Sequence, residues 1–199
     1  KFNTLWKICS KYTQFIATGY MNEVTTKGSH HAITFFLQAP IYLNTEEYLD
    51  RMCNLILSTA KSYPNILILI REHPEYRGKT KKLLDIIHCQ NIHIVNNDKL
   101  TDVYAQTKVV VSHFSSTLME GIMYGCTPLI FNPTPNSSYY PDIEKEKLGF
   151  ISKNEEEFFY KLPYCLCRRP IIRYKQWFKA YGKETINYII EVINNILSK

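Results

Sequence analysis

From Ile33 onward, short apolar runs alternate with longer amphipathic ones, a rhythm that predicts strand-helix units building a parallel sheet. Ile33 to Gln38 reads as the first strand, ended by Ala39-Pro40. Asn44 or Thr45 then caps a helix to about Ser62, with Tyr48, Met52, Leu55, Ile56 and Ala60 on its inner face. Asn65 to Arg71 is a buried central strand, Lys79 to His88 a helix by the spacing of Leu83, Leu84 and Ile87, and Ile92 to Val95 the third strand. A short helix over Thr101 to Gln106, with Asp98 as its cap and Asp102 as a first-turn charge, leads into a strand from Lys108 to Ser112. The helix from Ser116 to Tyr124 stops at Gly125, and Pro128 to Phe131 resumes as the fifth strand.

Asn132 to Pro141, rich in Pro, Asn and Ser, predicts a loop too long for a tight connection. Gly149 to Ser152 reads as a last short strand and Asn154 to Lys161 as a short acidic helix. Glu184 to Leu197 is amphipathic, with Ile186, Ile189, Ile190, Ile193 and Leu197 expected inward. Together these elements predict an α/β fold with a Rossmann-like parallel sheet flanked by helices.

Composition narrows the setting. With 45% hydrophobic and 21% charged residues among 199, the chain lies well away from the composition of disorder and has enough length for one full core. Its longest strongly apolar run, Ile66 to Ile70, is far shorter than a bilayer span, and no leader pattern opens the chain. The six cysteines lack the paired spacing of a zinc site or a disulfide framework, so a reducing, cytoplasmic location is expected. A net charge of +6 invites an acidic partner: nucleotide phosphate, an anionic acceptor, a membrane surface or nucleic acid.

Two loci carry chemistry, and both follow predicted strands, where open parallel sheets bind their ligands. The first is Arg71-Glu72-His73-Pro74-Glu75. Pro74 pushes His73 out of helical geometry, so that its imidazole can project from the sheet edge and donate to a phosphate oxygen. The same histidine also reads as a surface residue capped by its neighbouring glutamates. The second locus is His113-Phe114-Ser115-Ser116-Thr117-Leu118-Met119-Glu120-Gly121, which opens a helix. Small hydroxyl residues there, with the positive end of the helix dipole behind them, make a phosphate cradle. Glu120 falls one turn beyond Ser116, where its carboxylate can accept from ribose hydroxyls. Ser-Ser-Thr followed by Glu reads equally as a capping box.

Taken together, a strand-His-Pro unit followed by strand-Ser-Ser-Thr-helix-Gly-Cys-Thr-Pro resembles the carboxyl-terminal, nucleotide-donor-binding domain of GT-B glycosyltransferases. The similarity is to bacterial capsule, sialyl-, polysialyl- and polyol-phosphate transferases with His-Pro and Ser-Ser motifs, and it covers roughly residues 33–159. The resemblance implies that His73 is the catalytic residue and that His73, Ser115, Ser116 and neighbouring Thr117 contact the donor phosphate, with Glu120 on the ribose. Ala17-Thr18-Gly19-Tyr20 looks like the linker that enters such a domain. The expected organisation is therefore a linker or the end of an amino-terminal domain over 1–32, a nucleotide-binding domain over 33–162, and a basic aromatic segment with a helix over 163–199. The acidic catalytic base of these enzymes lies in the amino-terminal domain, which is expected to be missing here.

The implied function is binding of a CMP-, CDP- or UDP-linked sugar and glycosyl transfer to a glycan acceptor in bacterial surface polysaccharide synthesis. Related epimerases share the fold but usually carry Ser-Gly-Gly where Ser115-Ser116 stand, which argues against that activity and leaves a nucleotide-sugar epimerase as a further alternative. No Asp-X-Asp occurs, so metal-independent chemistry is expected, with no cofactor beyond the sugar donor as substrate. His30-His31 lacks a third ligand at metal spacing, and Cys165 and Cys167 lack partners for zinc. From Arg168 to Lys183, cations interleave with Tyr174, Trp177, Phe178 and Tyr181, which fits a wet helix face, peripheral contact with the inner membrane, or a nucleic acid strand. The rival to an enzyme is thus a non-catalytic module attaching to anionic membrane or nucleic acid.

Overall fold

Strand β1 (Ala32–Phe36) lies in the middle of a six-stranded sheet, and every side chain in it is buried. The structure is a computed structural model that describes residues 28–38, 45–78, 89–113, 115–133, 143–169 and 183–197. The helix expected over Lys79 to His88, the Ala17 to Tyr20 linker, most of the Asn132 to Pro141 loop and most of the basic aromatic run lie outside the described residues.

After β1 the elements are α1 (Thr45–Ser62), β2 (Ile68–Arg71), a single 3₁₀ turn at Pro74–Tyr76, β3 (Ile92–Ile94), α2 (Leu100–Gln106) and β4 (Thr107–Ser112). There follow α3 (Ser116–Met123), β5 (Thr127–Phe131), β6 (Phe150–Ser152), α4 (Glu155–Cys167) and α5 (Lys183–Leu197). All pairings are parallel and the strand order is β3-β2-β1-β4-β5-β6, so the winding reverses between β1 and β4. Ile94, Ile70, Phe35, Val111, Leu129 and Phe150 form one row across the strands.

Alternation along the strands divides the core between two faces. Ile33, Phe35, Leu37, Val109, Val111, Leu129 and Phe131 join Tyr48, Met52, Leu55 and Ile56 of α1 and Phe158, Leu162 and Cys165 of α4 in one apolar cluster. On the other face Phe36 meets Tyr104 of α2 with ring centroids 5.6 Å apart, and Gly121 of α3 sits on Val110. Three layers result. A Cβ at Gly121 would stand 3.0 Å from both methyls of Val110, so glycine lets α3 lie close on the sheet. Polar groups between the layers are bonded: Thr34 and Thr107 hydroxyls lie 2.6 Å apart, and Ser112 Oγ donates to the Phe36 carbonyl at 2.7 Å.

Three expectations change. The acidic helix does not stop at Lys161 but continues through Pro163 to Cys167, because Pro163 occupies an exposed position while Phe158, Leu162 and Cys165 keep packing inward. Asp98 is not the cap of α2; Lys99 holds that position, and the Asp98 carbonyl accepts from Arg71 instead. On α5 the apolar positions share a face as their spacing requires, yet Ile186, Ile190, Ile193 and Leu197 are exposed rather than inward. Spacing says which side chains share a face, not what covers it. Contacts group residues 25–172 into one unit and residues 1–24 with 173–199, including α5, into another.

Candidate functional site

The carboxyl edge of the sheet begins just past the row through Phe35. His73 stands three residues beyond Ile70 on β2, Ser115 four beyond Val111 on β4, and Asn132 three beyond Leu129 on β5. β2 and β4 both pair with β1, so the two sequence-predicted loci rise from strands on either side of the central one, about 10 Å apart at ordinary strand spacing.

At the tip of β2, His73 has φ −62° and ψ 139° and caps the 3₁₀ turn that Pro74 opens, the non-helical geometry its sequence predicts. The Glu75 amide donates to His73 Nδ1 at 3.4 Å, which puts the proton of the neutral ring on Nε2 as a donor. Glu75 Oε2 lies 3.9 Å from the same nitrogen, so the glutamate-capped reading of this histidine describes part of its surroundings. Both side chains are solvent-exposed. Glu72, in contrast, is buried, with Asn96 Nδ2 and the Gly78 amide donating to its Oε2 at 2.7 and 3.1 Å.

At the start of α3, Ser115 is the cap. Its Oγ accepts from the Thr117 amide at 3.3 Å and from the Thr117 hydroxyl at 2.8 Å, and its carbonyl accepts from the Leu118 amide. Position N3 is Leu118, so the capping box is absent; Glu120 bonds instead to the Ser116 hydroxyl at 3.5 Å, across one turn. Ser116 is exposed and Glu120 half-buried. Tyr104 of α2 donates its hydroxyl to the Thr117 carbonyl at 3.0 Å, pinning this turn from beneath.

The sequence places His113 at the head of the second locus without pointing to a role for it. It is 2% exposed, directly follows β4, and its Nε2 lies 2.7 Å from Asn132 Oδ1 at the tip of β5. Burial holds its pKa below the ordinary histidine value, and the Asn132 bond offsets part of that fall. The signal available was its place, the first residue after a strand facing the winding reversal.

Elsewhere, His30 Nδ1 bonds the Thr107 carbonyl at 2.9 Å, a structural role. Cys165 is in the core while Cys167 is exposed. A cleft of about 460 Å³ lined by Lys147, Gly149, Phe150, Tyr164 and Arg168 opens where β6 begins, at the opposite end of the sheet from His73 and Ser116. Among the described residues no group of three or more His, Cys, Asp or Glu is placed to hold a metal, and no helix is long and apolar enough to cross a membrane.

The sequence matches no described protein family and no curated protein. Solved structures do resemble it. UDP-GlcNAc 2-epimerase of Methanocaldococcus jannaschii, in complex with UDP-GlcNAc and UDP, superposes at TM-score 0.61 with 13% identity over 83% of this chain and 46% of its own. The Neisseria meningitidis UDP-GlcNAc 2-epimerase bound to UDP-GlcNAc gives 0.61 and 17% over 98% and 50%. The pneumococcal O-GlcNAc transferase GtfA, with UDP and GlcNAc, gives 0.56 and 14% over 99% and 44%. The chain thus spans half or less of each of these proteins. At such identities the likeness establishes the fold: a six-stranded parallel Rossmann-like sheet flanked by helices, one half-domain of the GT-B architecture.

Proposed function

We propose that this chain binds the nucleotide phosphate of an activated sugar at the carboxyl edge of its sheet and serves a metal-independent glycosyltransferase of bacterial surface polysaccharide synthesis. One observation carries the reading: His73 and the Ser115-Ser116 start of α3 occupy the same sheet edge, on strands that flank β1 beside the winding reversal. The solved structures of this fold that hold UDP or UDP-GlcNAc support it.

In this reading an acceptor hydroxyl displaces the nucleotide at the sugar's anomeric carbon, and negative charge collects on the leaving phosphate. His73 meets that charge with its Nε2–H, the Ser116 hydroxyl donates from the exposed first turn, and the positive end of α3 adds its field. Ser115 and Thr117 act mostly by holding this turn, since each already bonds the other. Glu120 takes ribose hydroxyls, giving up its long bond to Ser116. The acceptor-side base belongs to an amino-terminal domain, the nucleotide sugar is the only cofactor-like group required, and the location is cytoplasmic, with peripheral membrane contact through the basic aromatic segment.

Calorimetric titration with CMP, CDP and UDP tests the site. Saturable binding of one of them is expected, weakened about ten-fold or more in His73→Ala and in Ser116→Ala. Unchanged affinity in both variants overturns the assignment.

A second reading, nucleotide-sugar epimerisation, is favoured by the UDP-GlcNAc 2-epimerases among the similar folds. Incubating the chain joined to its amino-terminal domain with UDP-GlcNAc and following the sugar by NMR separates the two. An epimerised nucleotide sugar supports the second reading, whereas binding without epimerisation supports the first.

A further inference from the structure

We infer that Glu72, gripped by Asn96, is the positioning residue of His73. The inference rests on the nucleotide-binding reading and deepens it.

Glu72 is 4% exposed, although the side chain of the histidine beside it is 41% exposed. A carboxylate taken that far from water must be met by donors, or the loop bearing it will not hold. Asn96 bonds both the carboxylate and the backbone of Glu72: its Nδ2 donates to Glu72 Oε2 at 2.7 Å, and its Oδ1 accepts from the Glu72 amide at 2.8 Å. The Gly78 amide adds a third bond, 3.1 Å to the same carboxylate oxygen. One side chain therefore ties together the beginning and end of the His73 turn and the loop that follows β3.

Neighbouring cations reinforce the same lacing. Arg71 donates to the carbonyls of Val95 and Asp98 at 3.0 and 2.8 Å, and Arg77 donates to that of Asn96 at 3.4 Å. The turn closes at Gly78, whose φ of +86° suits glycine. His73 is thereby held between a clamped residue 72 and Pro74, whose ring fixes the next φ. Only its side-chain torsions remain, and the Glu75 amide on Nδ1 restricts those. A bare carboxylate next to a phosphate site would repel the ligand. Held by the N–H groups of Asn96 and Gly78 instead, this one sets the imidazole's place.

The test is a double-mutant cycle on the intact chain, with UDP, CDP and CMP titrated calorimetrically and the tightest binder used throughout. Glu72→Gln is expected to weaken binding about ten-fold in the native background and less than about two-fold in a His73→Ala background, because its effect passes through the imidazole. Asn96→Ala is expected to reproduce both results, and it serves where Glu72→Gln does not fold. A thermal melt on each variant establishes that the titrated protein is folded. Equal losses with and without His73 overturn the inference, as does native affinity in Glu72→Gln while His73→Ala binds poorly. Native affinity in His73→Ala overturns the inference while nucleotide binding stands, whereas no saturable binding of UDP, CDP or CMP by the native chain removes the nucleotide reading itself, and this inference with it.

Discussion

His113 Nε2 lies 2.7 Å from Asn132 Oδ1, which bonds the residue after β4 to the residue after β5. An amide oxygen only accepts, so the ring donates from Nε2. The ring is buried, and burial disfavours its charged form, leaving the folded-state pKa below the ordinary 6.5. Above the unfolded value both states are neutral and the bond counts in full. As pH falls from about 6.5 toward the folded value, the unfolded chain takes up a proton that the folded one refuses, and stability is lost across that window. Melting temperatures between about pH 7.5 and pH 5 are expected to fall more steeply in the native protein than in His113→Gln. Parallel curves for the two proteins would contradict this.

Tyr104 offers a measurement of how firmly the α3 turn is held. Its ring stacks on Tyr124 at 4.9 Å, and its hydroxyl bonds the Thr117 carbonyl. Tyr104→Phe keeps the stacking and removes the bond, at a cost of about 1 kcal/mol in urea denaturation. Under the proposed function it also weakens nucleotide binding a few-fold, because the hydroxyl-bearing turn loses its brace.

Two glycines predict different penalties for different reasons. A Cβ at Gly149 would come within 2.5 Å of the Pro128 carbonyl, a backbone atom that cannot swing aside. Gly149→Ala is therefore expected to cost about 2–3 kcal/mol, consistent with overpacking. Gly78 has open space around it but a φ of +86°, so Gly78→Ala costs about 1 kcal/mol of backbone strain. Denaturant midpoints of the two variants should rank in that order.

Thiol reactivity should follow burial. Burial pushes the Cys165 thiol up to about 12 despite nearby Arg168, and Cys53 up to about 11. Cys126 moves the same way, whereas Cys167 is exposed. Mass-spectrometric mapping after brief iodoacetamide treatment is expected to find Cys167 modified while Cys53, Cys126 and Cys165 are not.

Period and punctuation made most of the sheet legible from the sequence. The five positions expected on the inner face of α1 are all buried there, and Gly125, at φ +83°, closes the α3 unit where its residue type predicts. Both chemical loci emerged at strand ends because His-Pro and Ser-Ser-Thr alter local backbone geometry. What stayed hidden depends on pairings distant in sequence. Nothing near His113 announces Asn132, and nothing near Glu72 announces Asn96, 24 residues away. Likewise α4 outran its expected end, because inward packing of Leu162 and Cys165 outweighed the local signal of Pro163.

The central position of β1 has a consequence for how this chain acquires its shape. Thr34 reaches Thr107 across 73 residues, and Phe36 waits for Ser112 across 76. Among the described strands β1 is made first, and it stays unzipped along one flank until β4 has been made. For that interval Ile33 and Phe35 depend on β2 and α1 alone for shelter, so newly made chains are most prone to clump before synthesis passes Ser112.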